Sequence, residues 1–539
     1  MHGQTGESGG SDAAGWGRAT AEWLLMFAIF AAAAAWPAPD VNEAVYLTKA
    51  RHAADPGWCS GDFFLQTPDA HGLFYVVMGP LAAALPLERA AWMGRIAGWL
   101  LLAIGFRRAA VPLLATSWAR VAAAAMFAVA LRHTTAAGEW VIGGCEAKVF
   151  AWAAVLGSLG DLVRGGCASA WFRCGIAAAF HPIVGGWAMV ATAAVWLREA
   201  VESRRSAARS SRRPWGGHGW RDAALVAGGV AAAAVGVVPA IGLTAGVEQA
   251  TRIAAARIYV VDRLAHHLLP RTFADGMIAR HLLAVVVWWL LVRMLEASAP
   301  RRRLTAFTLA ALAISAAGVA IALIEPWSPT TAYALLRYYW FRLADVAVPF
   351  ALATAVAAVV EDPGTCRRLL PCSPPWGRAA LIALLVLDLA LQSFHWPLPG
   401  RDVPPRADAK VAAAAWAETC DWVRGHTPPD ACFLTPRGSA SFTWRTDRRE
   451  VVSWKNSPQD AASLVAWRRR IVDCFSRTGS LAEMERSTAS LGAARLREVA
   501  ARYAADHLIV PVDVPLLDAI PGERVHANAA YAVYRLTSP

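Results

Sequence analysis

Acidic side chains stand beside the apolar runs of this 539-residue chain, in positions suited to proton transfer or cation binding. Asp40 and Glu43 follow the apolar run 21–36, and Glu139 and Glu146 precede another apolar run. A carboxylate at the edge of a membrane stays ionised without the full cost of burial. It can then act as a general base or help to bind a divalent cation. The simpler alternative is that each acid is a solvated loop charge.

Basic side chains near the same runs have the chemistry to bind an anion. Arginine holds a phosphate through two parallel N–H bonds, and Arg337 and Arg342 lie among aromatic residues of the kind that favour a membrane interface. An ion pair between Arg342 and Asp345 is the simpler alternative for that arginine. His181, which precedes a proline, has the alternative of a packing role.

Composition places these residues in a membrane protein. Hydrophobic residues make up 56% of the chain and charged residues only 17%, whereas soluble proteins carry about 25% charged residues. Disorder and a coiled-coil rod are excluded, because 25 Trp stand among long Ala, Leu and Val runs. Hydrophobicity falls after residue 398. We therefore predict a mainly α fold, a polytopic transmembrane helical bundle over 21–398, followed by a soluble α/β domain over 404–539.

Eleven apolar segments are long enough to cross a membrane with some tilt or thinning. They are 21–36, 91–106, 111–131, 147–163, 168–182, 184–198, 222–243, 279–297, 304–324, 333–360 and 378–396. An odd number places the C-terminal domain outside when the N-terminus is cytoplasmic. The arginine-rich blocks at 107–108, 198–221, 301–303 and 367–368 then all lie inside, as the positive-inside rule requires.

The remaining segments follow from that count. Residues 1–20 are polar and are predicted to be a flexible N-terminus before an uncleaved first span. Segment 71–86 contains Gly79-Pro80, and a twelfth span there would invert the charge pattern, so we predict an interfacial helix. The external loops are then 37–90 and 132–146.

Other function classes find little support in the sequence. The net charge of +12 lies in short blocks between apolar runs and not on a soluble face with interleaved aromatics, which argues against nucleic-acid binding. The chain contains no Walker A, H-E-x-x-H or Rossmann motif, so ATPase, zincin and dinucleotide chemistry receive no support.

Several phrases resemble an uncharacterised bacterial polytopic membrane family, known only as a domain of unknown function. They are PDVNEAVYLTKARH, WCSGDFFL, GEWVIGGCEAKVFAW, FHPIVGGW, RYYWFRLADVAVP and FLTPRGSASFTWRTDRREVVSWKNSPQD. An acid after the first span, two external loops, short fifth and sixth spans and an external C-terminal domain also resemble the architecture of GT-C glycosyltransferases. The acids follow no D-x-D spacing.

The resemblance implies an integral-membrane glycosyltransferase-like protein in the bacterial inner membrane. Such a protein transfers a sugar from a polyprenyl-phosphate donor to an envelope acceptor at the outer face. It implies Asp40 as general base, with Glu43 and Asn42 orienting the acceptor or a divalent cation, and we expect Asp40→Asn to abolish transfer without unfolding. A divalent cation, Mg or Mn, is expected at Asp40, Glu139 and Glu146. The expected substrate-binding residues are Asn42, Lys49, Arg51, His52, His181, His266, His267, Arg337 and Arg342.

Two alternatives come from other classes. A transporter or lipid-handling protein would show inverted repeats and charges at the bilayer midplane. A catalytically silent envelope scaffold would show external acids that do not converge in one cavity. The convergence of these acids and arginines is therefore the discriminating observation.

The tail 404–539 follows a proline-rich linker and alternates strand and helix patterns. Predicted strands are 432–435, 450–454, 507–512 and 530–536, and predicted helices are 407–424, 458–475 and 481–503. No glycine-rich phosphate loop follows the first strand, so we predict a recognition or lid module that governs the acceptor. Its polar segment 441–460 is expected to overhang the outer pocket.

The nine cysteines are divided by the predicted topology. Cys59–Cys145 and Cys420–Cys432 are possible external bridges, although sequence leaves the connectivity open. Disulfides are not expected on the cytoplasmic side, which holds Cys167, Cys174, Cys366 and Cys372.

Overall fold

The computed structural model describes residues 8–207, 219–369 and 374–537, and this described part is 66% helical. The helices are α1 (Ser8–Ala34), α2 (Glu43–Ala54), α3 (Gly72–Ala84), α4 (Leu87–Ala110), α5 (Ser117–His133), α6 (Ala147–Val163), α7 (Cys167–Phe180), α8 (Pro182–Ala207), α9 (Gly219–Gly242), α10 (Gln249–Arg257), α11 (Ala265–Leu268), α12 (Met277–Met294), α13 (Ala299–Leu323), α14 (Pro329–Leu336), α15 (Ala344–Glu361), α16 (Pro363–Leu369), α17 (Pro374–Gln392), α18 (Ala413–His426), α19 (Phe442–Thr446), α20 (Ala461–Phe475) and α21 (Ala493–Tyr503). A π-helical turn, Ile258–Arg263, follows α10.

A small sheet forms in the C-terminal part of the chain. Its strands are β1 (Cys432–Leu434), β2 (Arg449–Glu450), β3 (His507–Pro511), β4 (Gly522–Ala527) and β5 (Tyr531–Leu536), in the order β2-β1-β3-β5-β4. The first three strands pair in parallel, and β5 is antiparallel to both β3 and β4. The sequence missed β4, because this edge strand has no residue buried enough to give an alternating apolar pattern.

Each of the eleven apolar segments contains a helix, but six helices of the described chain are long and apolar enough to cross a membrane. They are Trp16–Ala34, Gly219–Gly242, Met277–Met294, Ala299–Leu323, Ala344–Glu361 and Pro375–His395. The count of eleven spans is therefore not supported by length and composition. Among the helices of the remaining predicted spans, the shortest, α7, has 14 residues and rises about 21 Å, against a hydrocarbon core of about 30 Å.

Contacts between helix ends give the bundle an alternating, up-and-down order. At one end, which we call the arginine end, α1, α4 and α5 meet where Glu22 pairs with Arg107 and Arg120. The end of α6 joins there through Asp161 and Arg108. The start of α13 pairs with α8 through Arg303 and Glu199. The opposite end, which we call the cavity end, carries the loops 37–90 and 132–146 and the C-terminal domain.

The segment predicted as one span over 333–360 is broken. The helix α14 ends at Leu336, α15 begins at Ala344, and Tyr339 between them has a left-handed backbone with φ 53°. The break buries Tyr339 and Arg342 among the helices of the cavity end. Periodicity did not reveal the break, because five of the seven residues 337–343 are aromatic or apolar and extend the apolar run.

The C-terminal domain buries both faces of its sheet. Trp416 of α18 packs with Phe433 and Ile509 on one face, and Trp467 of α20 packs with residues of β1 and β3 on the other. Ala255 and Ile258, which precede the domain in sequence, also belong to that second core. The sheet domain is thus joined to the bundle by apolar packing as well as by the linker.

The four cysteines of the proposed bridges are free thiols. Cys59 packs with Phe64 and Leu65, whereas Cys145 belongs to a different apolar cluster, so this possible bridge is not formed. The possible Cys420–Cys432 bridge is not formed either, because the two residues lie in the cores on opposite faces of the sheet. Cys372 lies outside the described residues.

Candidate functional site

A cavity of about 270 Å³ lies at the cavity end, between the bundle, both loops and the C-terminal domain. The sequence-predicted residues that line it are Asn42, Glu139, Glu146, His181, His266, His267, Arg337 and Arg342. They come from distant parts of the chain and are brought together by the ends of α6, α7 and α8, the π-helical turn and the break before α15.

Glu146, the residue before α6, is the carboxylate of the cavity best suited to accept a proton. Its Oε2 accepts a hydrogen bond from Asn42 Nδ2 at 3.0 Å, and its Oε1 accepts one from Trp140 Nε1 at 3.3 Å. Burial raises the pKa of Glu146, and the nearby Lys148 ammonium offsets only part of that effect. A base with a raised pKa takes up a proton more readily near neutral pH.

Glu139 is a counter-charge. Its Oε2 lies 2.8 Å from Arg342 Nε, its Oε1 lies 3.6 Å from Lys148 Nζ, and Trp152 Nε1 donates to it at 3.2 Å. Burial alone would raise the pKa of Glu139, but the two cations outweigh burial and hold it below its usual value. Glu139 therefore stays ionised and neutralises its neighbours.

Arg342 is committed to this network and not to Asp345. Besides Glu139, its guanidinium lies 3.8 Å from the ring centre of Tyr339 and donates to His181 Nε2 at 3.3 Å. Asp345 instead accepts backbone N–H bonds from Ala136 at 2.6 Å and from two further residues of loop 132–146. The alternative of an Arg342–Asp345 pair is therefore wrong, because Asp345 caps the second loop.

Three other cations face the cavity without an acidic partner. Among the described residues, no carboxylate lies within ion-pair distance of Arg263, Arg337 or Lys455. Arg263 Nη2 donates to the Lys455 carbonyl at 3.3 Å, and Arg263 Nε is buried without a partner. Burial, with Arg263 nearby, lowers the pKa of Lys455 to about 8. Unpaired, partly desolvated cations of this kind favour a bound anion.

The histidines of the cavity are hydrogen-bonding groups, and burial disfavours the charged form of His266 and His267. The Nδ1 atom of His267 lies 2.5 Å from the Ala137 carbonyl, and burial lowers the pKa of His267 to about 3. Its neighbour His266 is exposed, and burial of part of the ring lowers its pKa too. The His181 ring stands 4.9 Å from that of His71. These rings can form hydrogen bonds with a sugar or a phosphate.

Asp40 and Glu43 do not line the cavity. Both oxygens of Asp40 accept bonds from Arg406 at 2.6 Å, and this guanidinium outweighs burial and lowers the pKa of Asp40. Glu43 Oε1 accepts hydrogen bonds from Arg95 Nε and from the Cys145 N–H, each at 2.6 Å. Both carboxylates join segments of the chain to one another. The role of Asp40 as general base stays a prediction.

Lys49, Arg51 and His52 also lie outside the cavity lining. Lys49 Nζ donates to the Thr67 carbonyl at 2.8 Å and lies 3.6 Å from Asp69. Arg51 pairs with an acid of the C-terminal domain at 3.3 Å, and His52 Nδ1 lies 2.8 Å from a loop carbonyl. The helix α2 therefore directs these three residues toward loop and domain contacts.

The acids proposed as metal ligands do not fit a metal site. Asp40 is held by Arg406, Glu139 by Arg342, and Glu146 by Asn42 and Trp140. Over residues 8–207, 219–369 and 374–537, no group of three or more His, Cys, Asp or Glu side chains is placed to hold a metal ion.

The sequence did not place several residues of this site. They are Tyr46, Asp69, His71, Lys148, Lys455 and Gln459. Lys148 follows Glu146 by two residues, which is a local signal that could have been used. The C-terminal residues gave no such signal, although they belong to the segment 441–460 that was expected to overhang the pocket.

One comparison with known proteins concerns the C-terminal domain. Residues 414–474 match a domain of unknown function (DUF6798). The match runs from α18 to α20 and includes Lys455 and Gln459 of the cavity lining. No curated protein matches the chain.

Proposed function

We propose that this protein is an integral-membrane enzyme that transfers a sugar from a polyprenyl-phosphate donor to an envelope acceptor. The observation that carries the proposal is the cavity itself, in which Glu146, a carboxylate with a raised pKa, shares one space with three unpaired cations. A glycosyl transfer from a phosphate needs both groups, a base for the acceptor and cations for the leaving group.

The proposed chemistry uses residues of this chain. The acceptor hydroxyl gives its proton to Glu146 while its oxygen forms a bond to the anomeric carbon of the sugar. The bond from that carbon to the phosphate oxygen breaks, and its electron pair leaves with the phosphate. Asn42 and Trp140 hold the Glu146 carboxylate in one orientation, which favours a productive approach of the acceptor.

An apolar wall beside the cavity supports the lipid part of the proposal. Ile183, Ala240 and Leu243 line the cavity at the ends of α8 and α9. The helix α9 exposes large apolar side chains along its length, with Val230 53% and Val238 64% exposed. A polyprenyl chain lying along α9 would bring its phosphate to the cavity while its tail remains in the bilayer.

The proposed topology places the arginine end in the cytoplasm and the cavity end outside the bacterial inner membrane. We propose that all eleven alternating helices cross the membrane, with the shorter ones buried among the longer ones. The helix α6 fits this arrangement, because 16 of its 17 residues are buried and it needs no lipid contact of its own. The C-terminal domain would then be periplasmic.

A transporter is the second candidate. Buried charges reach from Glu146 through Lys148 and Glu139 to Arg342 at the ends of the bundle helices, and buried charges line ion pathways in transporters. Such a protein would bind a lipid phosphate or a sugar without breaking the bond between them, so an assay of bond cleavage separates the two candidates.

The test is turnover of a labelled polyprenyl-phosphate sugar by the full chain in lipid nanodiscs, with a membrane extract as acceptor source. We expect Glu146→Gln to lower the rate about 10²- to 10⁴-fold, the usual contribution of a general base. Glu248→Gln is the control, because Glu248 is exposed and outside the cavity. Equal rates for the two variants, or no cleavage by the parent protein, would contradict the proposal.

A further inference from the structure

Arg263, Arg337 and Lys455 form a group that we call the cation cradle. The three side chains line one cavity, and among the described residues none has a carboxylate within ion-pair distance. Like charges that have lost part of their hydration and have no counter-charge are unfavourable by themselves. The remaining cations of the cavity, Lys148 and Arg342, both lie within ion-pair distance of the ionised Glu139.

We propose that the cation cradle binds the donor phosphate and stabilises the second negative charge that this phosphate acquires as the sugar departs. The inference rests on the proposed function and assigns the leaving-group side of the same site. A phosphodiester donor carries one negative charge, and the released phosphate monoester carries nearly two near neutral pH. Three unpaired cations match the released group better than the donor, which is the condition for lowering a barrier.

The geometry also gives the C-terminal domain a part in donor chemistry. Lys455 stands just after β2, and its carbonyl accepts the Arg263 Nη2 bond at 3.3 Å. Its neighbour Asn456 is fixed by a 2.8 Å bond from Nδ2 to Glu450 Oε1. The cradle is therefore completed only when the domain is docked on the π-helical turn. The sequence led us to expect that this domain governs the acceptor, and we now infer that it also contributes to binding of the donor.

The chain's lysines provide a direct readout of the cradle. There are four, Lys49, Lys148, Lys410 and Lys455. Lys49 and Lys148 are buried beside carboxylates, Lys410 is exposed, and the pKa of Lys455 is lowered to about 8. A short pulse of an acylating reagent near pH 8 on the full chain in nanodiscs should therefore label Lys455 and Lys410, and mass spectrometry counts each separately.

We expect polyprenyl phosphate to lower acylation of Lys455 about tenfold and to leave Lys410 unchanged, because a charged hydrogen-bond partner contributes about 1.5–3 kcal/mol. Polyprenyl phosphate should protect Lys455 at a lower concentration than its methyl diester does. It should also act at a lower concentration than inorganic phosphate, because inorganic phosphate lacks the lipid. Equal protection by neutral polyprenol, or by the diester and the monoester, would overturn the inference. Protection by inorganic phosphate at the lower concentration would assign the cradle to a free anion instead and overturn its lipid role.

Variants separate the cradle from the rest of the site. Arg263→Gln should weaken protection by polyprenyl phosphate about tenfold, whereas Arg524→Gln, an exposed arginine on β4, should not change it. Protection without any cleavage of the labelled donor would leave the cradle standing and refute the transferase. Cleavage of the donor without protection of Lys455 would refute the cradle and leave the transferase standing.

Discussion

At the scale of single residues, partners decide which carboxylate is available for chemistry. Asp40 and Glu146 are both buried acids next to a helix of the cavity end. Arg406 occupies both oxygens of Asp40, whereas Glu146 receives single bonds from neutral Asn42 and Trp140. A guanidinium stabilises the ionised acid, and burial without full compensation favours the protonated one. The two acids are therefore suited to opposite tasks, anchoring and proton transfer.

We predict that Asp40→Asn acts mainly through stability. The amide cannot pair with Arg406, so we expect the free energy of unfolding to fall by about 1–3 kcal/mol, measured by thermal unfolding in detergent. Arg406→Gln should cost a similar amount, and the double variant no more than either single one. If Asp40→Asn instead abolishes turnover while Arg406→Gln retains it at equal stability, Asp40 is the general base after all.

At the scale of elements, glycines set how closely the helices approach. A methyl group at Gly185 would lie against the backbone of Ala178, whereas one at Gly186 would meet no atom within 4 Å. A methyl group at Gly175 or at Gly236 would likewise lie against backbone atoms of a neighbouring helix. Small residues at such contacts allow close packing in membranes, and here they bring His181 and the ends of α7 and α8 to the cavity.

Two adjacent glycines of α8 give a matched test of this packing. We predict that Gly185→Ala destabilises the protein by about 1–3 kcal/mol, the usual cost of overpacking, because the contacting atoms are backbone and cannot rotate away. Gly186→Ala should be neutral or slightly stabilising, since alanine favours a helix over glycine. Thermal unfolding in detergent measures both, and equal melting temperatures would contradict the close α7–α8 contact.

At the scale of the whole molecule, the charges separate along the bundle. Arginines of α4, α5 and α13 meet at the arginine end, and the cavity and the sheet domain lie at the other. We predict that a reporter active only in the cytoplasm is silent after Pro539 and active when inserted between 207 and 219. Activity at both sites, or silence at both, would contradict the odd number of spans that we predict between the two sites.

The docked domain should also respond to pH. Asp62 of loop 37–90 accepts the Glu450 N–H at 3.1 Å, and burial together with Asp62 raises the pKa of Glu450 from 4.5 to about 8. Because the pKa of Glu450 is raised in the folded state, the folded protein holds the Glu450 proton more tightly than the unfolded chain does. The stability that this proton contributes is complete below about pH 4.5 and is lost as the pH rises through about 8.

Glu450→Gln removes that titration. Near pH 4.5 we predict that the melting temperature of the variant is equal to or below that of the parent. Near pH 8.5 it should lie above that of the parent, with a free energy of unfolding that is larger by about 1 kcal/mol. Glu523→Gln is the matched control, since Glu523 lies exposed on the edge strand β4, and it should show no such crossover. A pH-independent difference for Glu450→Gln would contradict the buried carboxyl.

The sequence by itself determined the features that depend on local pattern. Apolar runs predicted where the bundle helices lie, and the fall in hydrophobicity marked the sheet domain with four of its five strands. Residue types also identified eight of the residues that line the cavity, from Asn42 to Arg342. Periodicity and turn chemistry are properties of neighbouring residues, so a sequence carries them directly.

Only the tertiary structure decided how those residues are paired. The assignment of Arg406 to Asp40, of Arg342 to Glu139 and of Lys455 to the cavity joins positions that lie far apart in the chain. The free state of Cys59 and the break at Tyr339 follow in the same way from packing. An ion pair or a free cation is defined by distance in space and by burial, and neither quantity is written in local sequence pattern.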